Sequence, residues 1–175
     1  MTTVLAPAKL TRSLRITGVR PDGRHELDAE MVTLDLADEL TIHPAGHGLT
    51  VAGPCADGVP TDGRNLVARA LAAVGRRAGI HVVKRIPPGG GLGGGSADAA
   101  AVLRWAGVDD LAVAASLGAD VPFCVVGGRA RVRGIGDTVA PLPFEALEVT
   151  LVLPPLASST AAVYRAWDEL GGPTG

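Results

Sequence analysis

The pattern of apolar and polar positions divides the chain into segments with two different periods. Residues 4–16 and 30–42 alternate loosely, which predicts strands, because successive side chains of a strand point to opposite faces. The first strand is expected to be interrupted near Pro7, and the second to break between Leu36 and Leu40. Shorter apolar runs predict further strands at 49–52, within a hairpin, and at 80–86, 129–133 and 147–153.

Apolar side chains at helical spacing predict helices between and after these strands. The first follows three possible capping residues, Thr61, Asp62 and Asn65, and ends by Gly79. The second begins at Ser96, which is expected at the N-cap or in the first turn. Further helices are expected at 109–117 and 160–170.

Composition bounds the class of protein. The 175 residues, 47% hydrophobic and 19% charged, suit one domain with a real core. A net charge of −2 gives no reason to expect nucleic acid or an anionic membrane as a partner. The chain starts without a signal-peptide pattern, and Cys55 and Cys124 are too few for a disulfide framework or a metal cluster. We therefore expect a cytoplasmic protein whose side chains form no metal centre of their own.

A glycine-rich stretch, PPGGGLGGGS at 87–96, joins the strand at 80–86 to the helix at Ser96. Glycine reaches positive φ at little cost, so consecutive N–H groups can converge on an anion. The N-terminus of the following helix attracts the same negative charge. The stretch is therefore typical of a phosphate-binding loop, whose residues are Pro88, Gly89, Gly90, Gly91, Leu92, Gly93, Gly94, Gly95 and Ser96.

Two general nucleotide motifs fit this loop poorly. A P-loop ends in Gly-Lys-Ser/Thr, and no lysine follows these glycines. The dinucleotide fingerprint G-x-G-x-x-G matches Gly89, Gly91 and Gly94, with Asp109 and Asp110 about twenty residues later. In that fold the acidic residue ends a strand, whereas these two aspartates open a predicted helix. A dinucleotide-binding oxidoreductase domain is therefore a distant alternative.

Lys9, His25 and Asp120 each have a structural and a functional interpretation. Lys9 is a solvated strand residue or a cation aimed at phosphate. His25 is an exposed residue after a turn or a reader of a substrate edge. Asp120, just before Pro122, is a helix cap or a carboxylate that orients and deprotonates a substrate hydroxyl. Residue patterns alone leave these alternatives open.

The loop also resembles the phosphate-binding motif of the GHMP kinases, through PPGGGLGGGSADAAAVL at 87–103. Further blocks resemble, in order, a member of that family that phosphorylates a cytidyl diphosphate alcohol: PAKL at 7–10, RPDGRHEL at 20–27, PTDGRNL at 60–66, LGADVPF at 117–123, GGRARVRGIGD at 127–137 and TAAVYRAWDEL at 160–170. This resemblance covers nearly the whole chain. It implies an α+β fold like domain 2 of ribosomal protein S5, with helices packed on a mixed or antiparallel sheet.

The resemblance implies an ATP-dependent kinase of the non-mevalonate isoprenoid route, with ATP and Mg²⁺ as cofactors. Asp120 would act as the base, and Lys9 would hold it and the developing charge. The glycine loop, Ser96 and Asn65 would lie at the nucleotide. The cytidyl substrate, a small molecule, would contact Thr11, Arg24, His25 and Tyr164.

Four features depart from the family pattern. Arg24 stands where the family usually has Tyr, and Thr11 where it usually has Asn. The segment at 103–109 is shorter than expected, and a single domain over 1–175 reaches only the expected start of a carboxy-terminal domain, after about 155. These departures leave three other possibilities: a non-catalytic ATP-binding domain, a kinase for another small alcohol, and a site completed by self-association or by a companion chain.

Overall fold

A long central strand, β2 (His25–His43), organises a sheet of six strands. The computed structural model describes residues 1–152 and 159–172. β1 pairs antiparallel with β2 along almost its whole length, and the other edge of β2 is shared by β4 and β5. The remaining strands are β1 (Thr2–Val19), β3 (Leu49–Ala52), β4 (Gly79–Val83), β5 (Arg129–Gly134) and β6 (Thr138–Pro141). The expected α+β fold with a mixed sheet is confirmed.

An alanine-rich helix, α2 (Gly94–Ala106), packs against β1 at the centre of the core. Its residues 99–103 are completely buried, and the small side chains among them allow close approach to the sheet and to neighbouring helices. The other helices are α1 (Leu66–Ala73), α3 (Leu111–Leu117), α4 (Val121–Val126) and α5 (Thr160–Glu169). No helix within the described residues is both long enough and apolar enough to span a membrane.

β2 is one strand, so the predicted break between Leu36 and Leu40 is wrong. The register explains the error, because Pro7 pairs with Ala37 and Lys9 pairs with Thr33. Three residues of β2, 34–36, therefore face the single residue between Pro7 and Lys9. The phase of burial changes across this irregular segment, from odd positions before it to even positions after it: Ala29, Met31, Asp38, Leu40 and Ile42. A strand whose buried positions change from odd to even has the sequence pattern of two separate strands.

Three other strand predictions need correction. β1 continues through Pro7 with a shift in register instead of an interruption. β3 forms no hairpin, since it pairs in parallel with β4 across a long connection. The strand predicted at 147–153 is absent from 147–152, and residue 153 lies outside the described part of the chain. The local sequence pattern of these segments does not show which distant strand each of them pairs with.

The boundaries of two helices agree with the predictions and refine them. α1 ends at Ala73, before a turn in which Gly75 has a φ of 63°, and so ends by Gly79 as predicted. α2 begins two residues earlier than Ser96, with Gly93 as its N-cap. Because Ser96 lies inside the first turn, its hydroxyl is not needed as a cap. Residue 155, after which a carboxy-terminal domain is expected to start, lies outside the described residues.

Candidate functional site

The glycine loop ends at the N-terminus of α2 and leaves that helix end free to bind an anion. Gly93, the N-cap, has a φ of 69° and provides no side-chain cap. The first helical hydrogen bond runs from the N–H of Ala97 to the carbonyl of Gly93, at 2.8 Å. The N–H groups of residues 94–96 precede this bond, so they are the groups that a helix leaves for a cap, water or a ligand. The loop therefore has the features of a phosphate cradle.

Lys9 of β1 is fixed against this loop by its backbone and its side chain. Its N–H donates to the carbonyl of Leu92 at 3.0 Å. A Cβ on Gly93 would lie 2.8 Å from Cγ of Lys9, closer than real Cβ atoms come to other groups. Only a glycine with positive φ lets the helix start this close to the lysine stem. The ammonium group of Lys9 is thereby held beside the cradle.

Lys9 and Asp120 form an ion pair in which Nζ and Oδ2 are 3.3 Å apart. Asp120 directly precedes α4, but its side chain makes no capping hydrogen bond. Nζ of Lys9 also donates to Oγ1 of Thr11 at 3.2 Å. Lys9 is buried while one third of the Asp120 side chain is exposed, so the carboxylate is accessible from the cleft. Lys9 is therefore not a solvated strand residue, and the Asp120 side chain does not act as a helix cap.

A cavity of about 580 Å³ brings most of the predicted site residues together. Residues from the sequence prediction that line it are Lys9, Thr11, Asn65, Pro88, Gly89, Gly91, Leu92, Gly93, Gly94, Gly95, Ser96, Asp120 and Tyr164. Gly90 lines a more apolar neighbouring cavity of about 710 Å³ instead. Arg24 and His25 line a third, of about 420 Å³, to which Tyr164 also contributes. Tyr164 thus connects the predicted nucleotide and substrate regions.

Asn65, one of the three predicted candidates, caps α1 through its Oδ1 and bonds to the preceding segment through its Nδ2. Its Oδ1 accepts from the N–H of Val67 at 2.8 Å, and its Nδ2 donates to the carbonyl of Pro60 at 2.7 Å. The residue also lines the cavity that contains the glycine loop. In the proposed complex Asn65 would form part of the cavity wall near the nucleotide. Both ends of its amide group already make hydrogen bonds within the protein.

Tyr164 stacks on His25, with ring centroids 4.6 Å apart and an interplanar angle of 20°. At this separation no third ring fits between the two side chains. A base bound here would have to contact the other face of Tyr164 or the free edge of His25. Burial, with a smaller effect of Asp120, raises the pKa of the Tyr164 phenol, so the ring stays neutral. Arg24 is exposed at the rim of the same cavity.

A buried cluster of three charged residues, Asp38, Lys84 and Asp98, lies beneath the glycine loop. Nζ of Lys84 donates to Oδ2 of Asp98 at 2.6 Å and also to Oδ2 of Asp38. Oδ1 of Asp38 accepts the N–H groups of Arg85 and Ile86, at 2.5 and 2.9 Å. The cluster therefore ties β2, the start of the loop and the first turns of α2 to one another.

Asp98 is the unusual member of this cluster. Its Oδ1 is the one buried side-chain oxygen or nitrogen without a hydrogen-bond partner among the described residues. Burial raises the pKa of Asp98 to about 7, although Lys84 opposes the shift. Burial alone would lower the pKa of Lys84, but the charge of Asp98 and the bonds to both carboxylates raise it overall. Lys84 is therefore charged, and Asp98 can exchange its proton near neutral pH.

This cluster was not predicted from the sequence. A usable signal was Asp98, which interrupts a run of alanines on the face of α2 that packs against the sheet. A lone charge at a buried helical position predicts an opposite charge nearby. That signal does not identify the partner, because Lys84 precedes the loop and Asp38 lies within the predicted strand break.

The position of Asp110 argues against a dinucleotide-binding site at the glycine loop. Its Oδ1 accepts from the N–H of Ala112 at 2.8 Å, so it caps α3 and ends no strand. The sheet also has mainly antiparallel pairs, unlike the parallel sheet of a dinucleotide fold. These observations remove the basis for an oxidoreductase domain.

The fold and this site define a class of protein. Residues 65–128 match the family model described as the GHMP kinases N terminal domain. The match covers α1, the glycine loop, α2, Asp120 and α4. The chain therefore carries the amino-terminal domain of the GHMP kinases.

Particular members of the family resemble the chain over nearly its whole length. It is 47% identical to the 4-diphosphocytidyl-2-C-methyl-D-erythritol kinase of Paracoccus denitrificans, over 92% of this chain and 59% of that protein. It is 46% identical to the enzyme of the same name from Jannaschia sp., over 96% of this chain and 64% of that protein. A crystal structure of a 4-(cytidine 5'-diphospho)-2C-methyl-D-erythritol kinase superposes with a TM-score of 0.69 and 40% identity, covering 94% of this chain and 64% of the other. The chain therefore spans about three fifths of the length of these relatives.

Proposed function

We propose that the chain contributes the ATP and catalytic site of a kinase that phosphorylates the 2-hydroxyl of 4-diphosphocytidyl-2-C-methyl-D-erythritol, in the non-mevalonate isoprenoid pathway. The observation that carries this proposal is the Lys9–Asp120 ion pair in the same cavity as the free N-terminus of α2. A phosphate cradle and an accessible carboxylate in one cleft are what transfer from ATP to a hydroxyl requires. The identities with relatives of that name support the choice of acceptor.

In the proposed reaction the substrate hydroxyl oxygen attacks the γ-phosphorus of ATP. The bond to the β,γ-bridging oxygen breaks and ADP leaves. Asp120 accepts the hydroxyl proton, and Lys9 holds Asp120 in position while it attracts the negative charge of the transferring group. The N–H groups at the start of α2 hold the phosphates in line with the acceptor. Most of the rate acceleration then comes from positioning and charge neutralisation.

Mg²⁺ would enter this site with ATP and neutralise charge on its phosphate oxygens. No group of three or more His, Cys, Asp and Glu side chains suited to a metal ion occurs in residues 1–152 and 159–172. Ser96, in the first turn of α2 and on the cavity wall, has a hydroxyl oxygen that suits this hard cation. The loop fits the phosphates, since Gly93 and Gly94 bring the free N-terminus of α2 close to Lys9 and Lys84, where a Cβ would lie 2.8 Å from Cγ of Lys9 and 3.2 Å from Nζ of Lys84.

The catalytic proposal is tested by ATP consumption that depends on the cytidyl substrate. We expect Asp120→Asn to lower the rate by roughly two orders of magnitude or more, since it removes the proton acceptor. Asp109→Asn is the matched control, because it removes one exposed carboxylate near the entry to α3. A wild-type rate equal to that of Asp120→Asn would instead indicate a non-catalytic ATP-binding domain. Turnover with other alcohols but not with this one would indicate a different acceptor.

The proposal also includes the cellular location of the protein and the closure of its cleft. A cytoplasmic location is supported by Cys55 and Cys124, which are both free thiols. Closure of the cleft by a second copy or a companion chain stays a prediction. Sedimentation of the purified protein, with and without Mg-ATP, would detect self-association.

A further inference from the structure

His25 of β2 is held by three side chains of α5. Its Nε2 lies 2.7 Å from Oδ1 of Asp168, and its ring stacks on Tyr164. Trp167 meets the ring in a T-shaped contact, with centroids 5.7 Å apart and an interplanar angle of 87°. The His25 side chain is only 9% exposed, whereas that of Asp168 is 47% exposed. The imidazole is therefore fixed in position and orientation by one helix.

The contact with Asp168 decides which ring nitrogen carries a proton. A carboxylate can only accept a hydrogen bond, so Nε2 must be the donor. In the neutral ring the lone pair is then on Nδ1. Nδ1 has no hydrogen-bond partner among the described residues and is not one of their buried, unpaired atoms, so it keeps some accessible surface, and His25 is one of the residues that line the cavity of about 420 Å³. The free edge of His25 thus offers an acceptor.

We propose that Asp168 is a positioning residue that makes His25 selective for a base with an amino donor, and so for cytosine over uracil. This inference rests on the proposed function, since it assumes a cytidyl ligand at His25. The 4-amino group of cytosine can donate to Nδ1, whereas the 4-oxo group of uracil would place one acceptor against another. The unpaired acceptors would then oppose binding.

Binding of cytidine 5′-diphosphate and of uridine 5′-diphosphate to the whole chain, measured by calorimetry at about pH 8, tests this inference, since ordinary imidazole is neutral there. We expect wild type to prefer the cytidine nucleotide. Asp168→Asn supplies an amide that can donate to Nε2, which moves the ring proton to Nδ1. The ratio of affinities for the cytidine over the uridine nucleotide should then fall roughly tenfold, which is the effect of one hydrogen bond. Glu169→Gln removes the neighbouring exposed charge of the same helix and should keep the preference.

Nitrogen-15 spectra of the imidazole provide a second readout that a merely structural role of Asp168 would not change. They should show the proton on Nε2 in wild type and in Glu169→Gln, and on Nδ1 in Asp168→Asn. Equal nucleotide preference and equal ring protonation in all three proteins would overturn the role of Asp168 while leaving the kinase proposal intact. Failure of wild type to bind either nucleotide would overturn both.

Discussion

Gly93 lies directly over the aliphatic stem of Lys9, and a Cβ at position 93 would come within 2.8 Å of Cγ of the lysine. The start of α2 and the position of the Lys9 side chain are therefore fixed by the same contact. Neither can shift without the other, and the ion pair of Lys9 with Asp120 depends on both.

Gly93→Ala should disturb catalysis through Lys9. An alanine there is strained by the φ of 69° and also displaces the lysine stem. Gly91→Ala is the matched control, since Gly91 has a φ of 70° but no atom near its would-be Cβ. Both variants should lose about 1 kcal/mol in the free energy of unfolding. The substrate-dependent rate of Gly93→Ala should be lower by a further factor of roughly ten. Equal rates in the two variants would contradict the coupling.

Asp98→Asn should change how stability depends on pH. In the folded protein the raised pKa of Asp98 keeps its proton up to about pH 7, whereas the ordinary value is 3.8. The stability contributed by this proton is complete below the unfolded pKa and is lost as pH rises through the folded one. Between about pH 5 and pH 8 the variant should therefore gain on wild type, by on the order of 2 kcal/mol in the free energy of unfolding.

Urea unfolding at several pH values measures this difference for Asp98→Asn. The comparison must be between variants, because carboxyls such as Asp28 and Glu30 have lowered pKa values and contribute the opposite slope. Asp109→Asn, which changes an exposed carboxyl, should follow wild type throughout. Parallel pH profiles for Asp98→Asn and wild type would show that burial does not hold the proton.

Arg24→Tyr should tighten binding of cytidine 5′-diphosphate. Arg24 is exposed at the rim of the cavity that contains His25, where a tyrosine could stack on the base. Base stacking on an aromatic ring is worth about 1–3 kcal/mol, so a gain of at least several-fold in affinity is expected. Arg24→Leu removes the same guanidinium without adding a ring and should not gain. Unchanged affinity in Arg24→Tyr, with unchanged ATP binding, would place the base elsewhere.

The sequence predicted best those features that local pattern determines. The alanine-rich face of α2, the cap at Asn65 and the strand at 129–133 follow from periodicity and turn chemistry, and the structure agrees. The phase change in β2 could not be predicted, since it occurs where the register against β1 is irregular. The parallel pairing of β3 with β4 is likewise set by residues far apart in the chain.

The residues of the candidate site were also hard to predict from the local sequence alone. Lys9 and Asp120 have ambiguous patterns when considered singly, and only the resemblance to the GHMP kinases predicted that they act together. The Asp38–Lys84–Asp98 cluster was missed because each charge lies in a different element. The contact of His25 with Asp168 joins residues 143 positions apart, and no local signal precedes it.

The hydrogen bond from Lys9 to Leu92 makes the glycine loop an attachment to the edge of the sheet. The loop separates from β1 at Leu92 only when this hydrogen bond breaks, so the amide of Lys9 should share the slow hydrogen exchange of the sheet. The proposed phosphate cradle is therefore attached to the sheet before any nucleotide binds.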